Sequence, residues 1–213
     1  MNSREKILAA VRQNQPSFVE LPPMQSPDNP GIPGEPTGSA EEEDLLLKNF
    51  QAVLESIGGT LFVVPGFGAI EKIVRERSVA DARIVSTCPE LSAVAEIDIR
   101  YKAPQELADI DLAIIRAHFG VAENAAVWVT EDLLPERALP FICEHLAVVL
   151  HRKDLVATMH DVYERIGSAD YGFGVFIAGP SKTADIEQSL VLGAHGPGTM
   201  TVFLLDMDAS DSQ

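Results

Sequence analysis

Residues 145–180 read "HLAVVLHRKDLVATMHDVYERIGSADYGFGVFIAGP". The continuous apolar run at 145–150 is typical of a buried strand, and 174–180 is a second such run. Between them, 153–167 has the spacing of an amphipathic helix, which ends at Gly167. Strand, helix and strand in succession predict an α/β protein.

The same alternation continues along the rest of the chain. Strands are predicted at 60–65, 82–87, 111–117, 125–130 and 199–205, and a helix at 67–77. The strands are apolar throughout rather than alternating, so both of their faces are expected to be covered. The fold class predicted is therefore α/β, with a mostly parallel sheet covered by helices on both faces.

The N-terminal part of the chain differs from this body. Residues 3–13 predict a short helix, with Ser3 available as its N-cap. Residues 16–38 are rich in proline, which excludes regular helix and central strand, and predict an arm or linker that could reach a neighbouring subunit. A capping box at 39–42 opens the α/β body, which runs over 39–206, and 207–213 is a tail expected to be flexible.

Composition narrows the class of protein. The chain has 213 residues, which suits one domain plus an appendage, and a net charge of −16, which disfavours nucleic acid as a partner. No apolar run approaches the roughly 20 residues that a membrane span needs, and the N-terminus lacks the apolar core of a secretory signal. We therefore expect a soluble cytoplasmic protein.

The two cysteines, Cys88 and Cys143, are isolated in the sequence. A cysteine-rich zinc site or an iron–sulfur cluster held by four thiolates cannot be built from them within this chain. They are interpreted as buried free thiols, and no metal site or cofactor motif is evident. The four histidines without close pairing are interpreted as structural or surface residues: His118, His145, His151 and His160.

The segment "GPSKTADIE" at 179–187 follows a predicted strand. A helix or turn beginning near Ser181 or Thr183 would offer free amides, two hydroxyls and Lys182 to a phosphate or carboxylate. Asp185 and Glu187 would already satisfy the positive end of such a helix. A ligand site for an anion and a capped helix start with ordinary acids both fit this segment.

The segment "GAHGPG" at 193–198 places His195 among residues that permit unusual backbone angles, Gly196 among them. His195 could be a general acid or base, a hydrogen-bond donor or a metal ligand; the alternative is a turn histidine that bonds its own loop. Glu123, in "GVAEN" at 120–124, could be a nucleophile, a general base or a metal ligand; the alternative is a solvated loop glutamate. Both segments are expected near the carboxyl ends of strands, where ligands of α/β sheets bind.

Three segments together resemble the LUD-domain family, in its lactate-utilisation protein C group. They are "GPSKTADIEQSLVLGAHGPGTMTVFLL" at 179–205, "FGVAENAAVWVT" at 119–130 and "REKILAAVR" at 4–12. The resemblance implies a fold similar to the group of sugar-phosphate isomerases, CoA-transferases and formyltetrahydrofolate cyclo-ligases. It also implies a place in a bacterial pathway that oxidises L-lactate to pyruvate, in which companion proteins carry the iron–sulfur clusters.

Two positions depart from the family pattern. Asn124-Ala125-Ala126 follows Glu123 where family members commonly have Thr-Gly-Thr, and Gly198 stands where they commonly have arginine. Arginine is the natural bidentate partner of a carboxylate or phosphate, so this clamp is absent here.

The leading hypothesis is a component of a lactate-oxidising system that binds a small anionic or nucleotide-like ligand. Glu123 and His195 would handle protons in one cavity, and a set of neighbouring residues would hold the ligand: Ser181, Lys182, Thr183, Asp185, Glu187 and Gly196. One alternative is a non-catalytic scaffold subunit of an iron–sulfur oxidoreductase complex. Another is an acyl- or CoA-transferase-like enzyme with Glu123 as its nucleophile.

Overall fold

The computed structural model describes residues 2–15, 40–97, 104–184, 190–193 and 195–206. The chain divides into two units, Met1–Ile32 and Pro33–Gln213. The Pro-rich segment, Ser39 of the capping box, the tail, Asp185 and Glu187 lie outside the described residues.

Within its described residues, 2–15, the first unit contains the helix α1 (Ser3–Gln13). Its N-cap is Asn2 rather than Ser3, which corrects the sequence prediction by one residue. The reason is a capping box: the Asn2 side chain accepts from the Glu5 amide and the Glu5 carboxylate accepts from the Asn2 amide, both at 2.9 Å. Ile7 and Val11, four residues apart on one face of this helix, are exposed.

The second unit contains four helices and eleven strands within its described residues. The helices are α2 (Ala40–Ser56), α3 (Phe67–Arg77), α4 (Leu139–Ile142) and α5 (Met159–Ile166). The strands are β1 (Thr60–Val64), β2 (Ile84–Ser86), β3 (Leu112–Arg116), β4 (Phe119–Val121), β5 (Val127–Thr130), β6 (His145–His151), β7 (Leu155–Val156), β8 (Gly174–Ile177), β9 (Lys182–Ala184), β10 (Leu190–Leu192) and β11 (Thr199–Leu205). Short 3-10 turns occupy Pro89–Leu91, Pro104–Leu107 and Arg152–Asp154.

A parallel central sheet confirms the predicted fold class. It has five strands in the order β1-β11-β6-β3-β2, and every neighbouring pair is parallel. Helix α3 covers one face, where its Ile70 and Val74 pack with Val149 of β6 and Phe203 of β11. No helix among the described residues is long and apolar enough to cross a membrane.

The other face of the central sheet carries α2 and a second sheet of four strands, in the order β7-β4-β5-β8. Leu150 alternates with Val149 along β6 and so lies on this face. A Cβ built on Gly120 of β4 would lie 2.7 Å from Leu150 Cδ2 and 3.1 Å from Phe50 Cε2 of α2. Gly120 has no side chain, and the central sheet, β4 and α2 can therefore approach one another this closely.

The second sheet corrects three expectations. Residues 118–124, expected as a plain connection between two strands of one sheet, contain β4, which pairs antiparallel with β5. Strand β8 pairs antiparallel with β5 instead of joining the parallel sheet. The helix expected at 153–167 begins only at Met159, because Thr158 caps it and the preceding Leu155–Val156 pairs with β4.

Among the described residues 181–184, no helix begins at Ser181 or Thr183 as the sequence suggested. Strand β9 follows instead and pairs antiparallel with β10, with Lys182 opposite Leu192 and Thr183 opposite Val191. The apolar residues at 190–192 provide a partner strand, and this pairing satisfies the backbone of Lys182 and Thr183 that a helix start would have left free.

Candidate functional site

The loops that contain Ser181 and His195 meet in the structure. The Ser181 amide donates to the Pro197 carbonyl at 2.9 Å, and the Gly193 amide donates to the Ser181 carbonyl at 3.1 Å. Segments that are separate in the sequence are thus hydrogen-bonded to each other through their backbones.

Gly196 is required at this contact for two reasons. Its φ is +150°, in a region that other residues rarely adopt, and a Cβ there would lie 3.2 Å from Ser181 Cβ. The close approach of the two loops therefore depends on the absence of a side chain at position 196.

His195 lines a cleft of about 670 Å³, which we call the His195 cleft. Its walls come from residues 108–111, 141–144 and the loop around His195. Both His195 and Phe141 are exposed, the latter by 44%. A volume of this size is typical of small-molecule sites.

The cleft lies at the amino-terminal edge of the central sheet, which differs from the expected location. Gly198 directly precedes β11, Glu144 precedes β6 and Asp111 precedes β3. The carboxyl ends of these strands, where ligands of α/β sheets usually bind, are at the opposite edge. The sequence prediction failed here because it assigned residues 174–180 to the parallel sheet.

Three carboxylates give the His195 cleft a negative character: Asp109, Asp111 and Glu144. The guanidinium of Arg83 pairs with Asp109 and offsets its charge, whereas Asp111 only accepts a hydrogen bond, at 2.6 Å, from the Arg83 backbone amide. Glu144 is 70% exposed, and His145 Nε2 lies 3.9 Å from its Oε1. The side chain of Lys182, next to Ser181, is exposed.

Glu123 lies in the turn between β4 and β5 and contacts α5. Its Oε2 accepts from the amide of Met159, the first residue of α5, at 2.9 Å, and its own amide donates to the Ala157 carbonyl at 3.0 Å. This carboxylate therefore helps to cap α5. Glu123 is not among the described residues that line the His195 cleft, so the structure does not bring the two proposed catalytic side chains together there.

The turn after Glu123 explains a departure from the family pattern. Ala125 has φ +55°, the left-handed conformation that favours glycine, and the Asn124 side chain accepts from the Ala126 amide at 3.0 Å. The position that the resemblance assigns to glycine thus keeps a glycine-like backbone with alanine in it.

A family model described as the LUD domain matches residues 47–205. The chain belongs to the LUD-domain family. The matched range covers the whole central sheet, together with the second sheet and the His195 cleft of this LUD domain.

Two relatives are named "Lactate utilization protein C". The protein from Oceanobacillus iheyensis is 27% identical over 103 residues, and that from Bacillus pumilus is 31% identical over 101 residues. These matches cover 45% and 44% of this chain, and 44% and 42% of the relatives. This LUD-domain chain therefore matches less than half the length of either relative.

A solved structure supports the fold. The crystal structure of a DUF162 family protein from Deinococcus radiodurans aligns with a TM-score of 0.58 at 17% sequence identity. The alignment covers 76% of this chain and 98% of that chain. The two proteins share the α/β fold.

The LUD domain also contains a polar group at the carboxyl edge of the central sheet that the sequence did not reveal. Arg116, at the end of β3, pairs with Glu90 and stands over the ring of Phe67 at 5.2 Å. The buried Cys88 thiol lies beside them, and desolvation raises its pKa despite a hydrogen bond from Ser86. Arg116 and Glu90 are 26 positions apart in the sequence. They meet because β2 and β3 are neighbours in the central sheet.

His118 is a second residue whose setting the sequence missed. Its Nε2 lies 2.6 Å from Thr130 Oγ1 and 3.3 Å from Asp132 Oδ1. The register pairs Phe119 with Trp128 and so sets Val129, not Thr130, opposite His118, which means that strand alternation gives no signal for this contact. The hairpin itself had not been predicted.

Proposed function

We propose that this LUD-domain chain is a component of a bacterial system that oxidises L-lactate to pyruvate, and that the His195 cleft binds its small anionic or nucleotide-like ligand. The observation that carries the proposal is the meeting of the Ser181 and His195 loops beside a cleft of suitable size. Family membership, with relatives named for lactate utilisation, supports the pathway.

The imidazole of the cleft suits a hydroxy acid, whereas the cleft's three carboxylates oppose the negative charge of such a ligand, so the proposal requires a cation from a neighbouring element. Oxidation of lactate removes two electrons and two protons, and an accessible imidazole such as His195 can take the proton of the hydroxyl group. Lys182, which is exposed next to Ser181 but is not among the residues that line the cleft, is the cation that we assign to the carboxylate. The two electrons and the hydrogen of the lactate carbon would pass to partner proteins that carry the iron–sulfur clusters, because two cysteines do not provide the four thiolates of a cluster.

Ligand-dependent thermal stability tests the site. The melting temperatures of the parent, His195→Ala and His160→Ala are measured with L-lactate, pyruvate, nucleotides or CoA esters added. His160 is the control, because it is an exposed histidine on α5 outside the cleft. A ligand at 100 times its Kd stabilises by about 2.7 kcal/mol, or about 5–10 °C for a chain of this size. We expect His195→Ala to lose the shift that L-lactate gives and His160→Ala to keep it; equal L-lactate shifts in all three proteins would refute the assignment.

A gain-of-function variant tests the anionic character of the ligand. A Cβ on Gly198 would meet only ordinary contacts, at 3.8 Å from the Glu144 carbonyl and 4.0 Å from Gly193 Cα. Gly198→Arg should therefore be accommodated and should tighten lactate binding in calorimetry by about ten-fold, as expected for one charged hydrogen bond. Gly198→Gln is the neutral control, and equal affinities for both variants would argue against a carboxylate at this position.

Complementation tests the pathway. The chain is expressed in a Bacillus pumilus strain from which the gene for its lactate utilization protein C has been removed, with L-lactate as the carbon source. Restored growth is the expected result. Failure to restore growth, with the protein present at normal levels, would contradict the proposed role even if the cleft binds a ligand.

The scaffold alternative is favoured by one observation in the first unit. Ile7 and Val11 of α1 are 64% and 53% exposed, an apolar face suited to a partner protein. Co-purification of the partner with the parent, but not with an Ile7→Ser, Val11→Ser double variant, would support it. The transferase alternative requires Glu123 as a nucleophile, but one oxygen of this carboxylate already accepts a hydrogen bond from the Met159 amide.

A further inference from the structure

A second cavity, which we call the Trp128 cavity, lies against the second sheet. It has a volume of about 580 Å³ and is lined by residues of β4, β5, the end of α5 and the loop that follows it. It shares no lining residue with the His195 cleft. The proposed lactate function makes no use of it.

Aromatic rings form one wall of the Trp128 cavity. Phe119 and Trp128 stack with ring centres 6.4 Å apart, and Tyr171 meets Trp128 edge-on at 5.4 Å. Tyr171 is 42% exposed, so part of its ring is available to a ligand. Walls of this kind suit a planar ring, which can stack or pack edge-on.

Hydrogen-bond acceptors form the polar part of the cavity. The Thr130 hydroxyl donates to Asp132, so its oxygen accepts from His118 Nε2 at 2.6 Å. Nε2 is therefore the donor to this hydroxyl, and in the tautomer with its proton on Nε2 the Nδ1 atom would accept from a ligand. Together with the Asp132 carboxylate, this arrangement calls for a ligand that donates hydrogen bonds.

The charges around the cavity disfavour a strongly anionic ligand. Three carboxylates line it, those of Glu131, Asp132 and Asp170, against one guanidinium, that of Arg165. Glu131 is engaged with the amides of Gly172 and Phe173, which leaves Asp132 and Asp170 to face a ligand. A phosphate group would be repelled here, whereas a neutral or cationic ring would not.

We propose that the Trp128 cavity binds a planar nitrogen heterocycle that donates hydrogen bonds and carries no negative charge, with nucleobases and nucleosides as the ligand class. The ring packs against the exposed part of Tyr171, beside the largely buried Trp128. An amino group of the ring donates to Asp132 or to His118 Nδ1.

The test uses the intrinsic fluorescence of Trp128, because it is the only tryptophan of the chain and lines the cavity. Adenosine and adenosine monophosphate are titrated separately into the intact protein, with calorimetry as a second measurement. We expect saturable binding of adenosine and at least about ten-fold weaker binding of the monophosphate. No saturable signal with adenosine, or equal affinity for both compounds, would overturn the proposal.

Variants localise the site. Asp132→Asn should weaken adenosine binding about ten-fold, since it removes a charged acceptor, and should narrow the preference over the monophosphate. Tyr171→Ala should weaken both compounds. Glu164→Gln, on the exposed surface of α5 and outside the cavity, is the matched control and should bind like the parent.

Unchanged adenosine affinity in both Asp132→Asn and Tyr171→Ala would place the ligand elsewhere and refute the assignment. L-lactate, assigned to the His195 cleft, should not compete with adenosine. Absence of lactate binding would therefore contradict only the proposed function of the His195 cleft. Absence of adenosine binding would contradict only the proposal for the Trp128 cavity.

Discussion

Gly120→Ala should destabilise the protein, because it adds a methyl group where three parts of the fold meet. The new Cβ would lie 2.7 Å from Leu150 Cδ2 and 3.1 Å from both Leu155 Cδ2 and Phe50 Cε2. Carbon atoms prefer about 3.5–4.0 Å, so all three neighbours would have to move. Leu150 and Phe50 are 0% exposed and Leu155 is 4% exposed, which leaves them little free space.

The magnitude follows from the cost of overpacking a core. An added methyl in a well-packed interior typically costs about 1–3 kcal/mol of unfolding free energy. A chain of this size loses about 2–4 °C in Tm per kcal/mol, so we expect a Tm about 4–8 °C lower for a loss of about 2 kcal/mol.

Thermal unfolding followed by circular dichroism measures this effect, and Gly68→Ala is its control. Gly68 lies in α3, and a Cβ there would meet no heavy atom within 4 Å. The same substitution should therefore stabilise by about 0.5–1 kcal/mol, the helix preference of alanine over glycine. A Gly120→Ala protein that melts at or above the parent temperature would show that the second sheet does not pack on the central sheet as described.

Three further predictions concern other sites. Ala125→Gly should change the free energy of unfolding by less than about 1 kcal/mol, because relief of the left-handed backbone at position 125 offsets the lost methyl group and the added entropy of the unfolded chain. Ala126→Gly has no such relief, so in urea unfolding it should lose about 1–2 kcal/mol more than Ala125→Gly. Equal losses in the two variants would contradict this prediction. A hydrogen bond from Thr130, together with the charge of His118, holds the pKa of Asp132 below its usual range despite desolvation. Asp132 therefore stabilises the fold above its unfolded pKa of about 3.9, and the difference in unfolding free energy between parent and Asp132→Asn should shrink as pH falls below this value; a constant difference would refute the pKa shift. Burial raises the pKa of Cys143 to about 12, so iodoacetamide near neutral pH should leave it unmodified by mass spectrometry until urea unfolds the chain.

The central sheet was predictable because its signal is local. Strand β1 and helix α3 occur almost where the apolar runs place them, at Thr60–Val64 and Phe67–Arg77. A strand that is buried on both faces has to be apolar along its length, so the pattern and the structure have one cause.

The second sheet was not predictable in the same way. Its strands are short, with two residues in β7 and three in β4, and the same apolar letters fit a connection, a helix end or a strand. Which of these forms depends on partners that are distant in sequence, as in the pairing of Val121 with Val156. The site residues follow this division: the sequence singled out His195 and Ser181, whereas the setting of His118 depends on an unpredicted hairpin.

The sequence by itself determined the fold class, the buried thiols and the glycine-rich loop of His195, since hydrophobic periodicity and backbone permissiveness are properties of a few adjacent residues. Only the tertiary structure decided that the His195 loop stands at the amino edge of the sheet, that Glu123 caps α5, and that His118, Thr130 and Asp132 line one cavity with Trp128. Those arrangements come from strand order and register, which are set by the packing of the whole core.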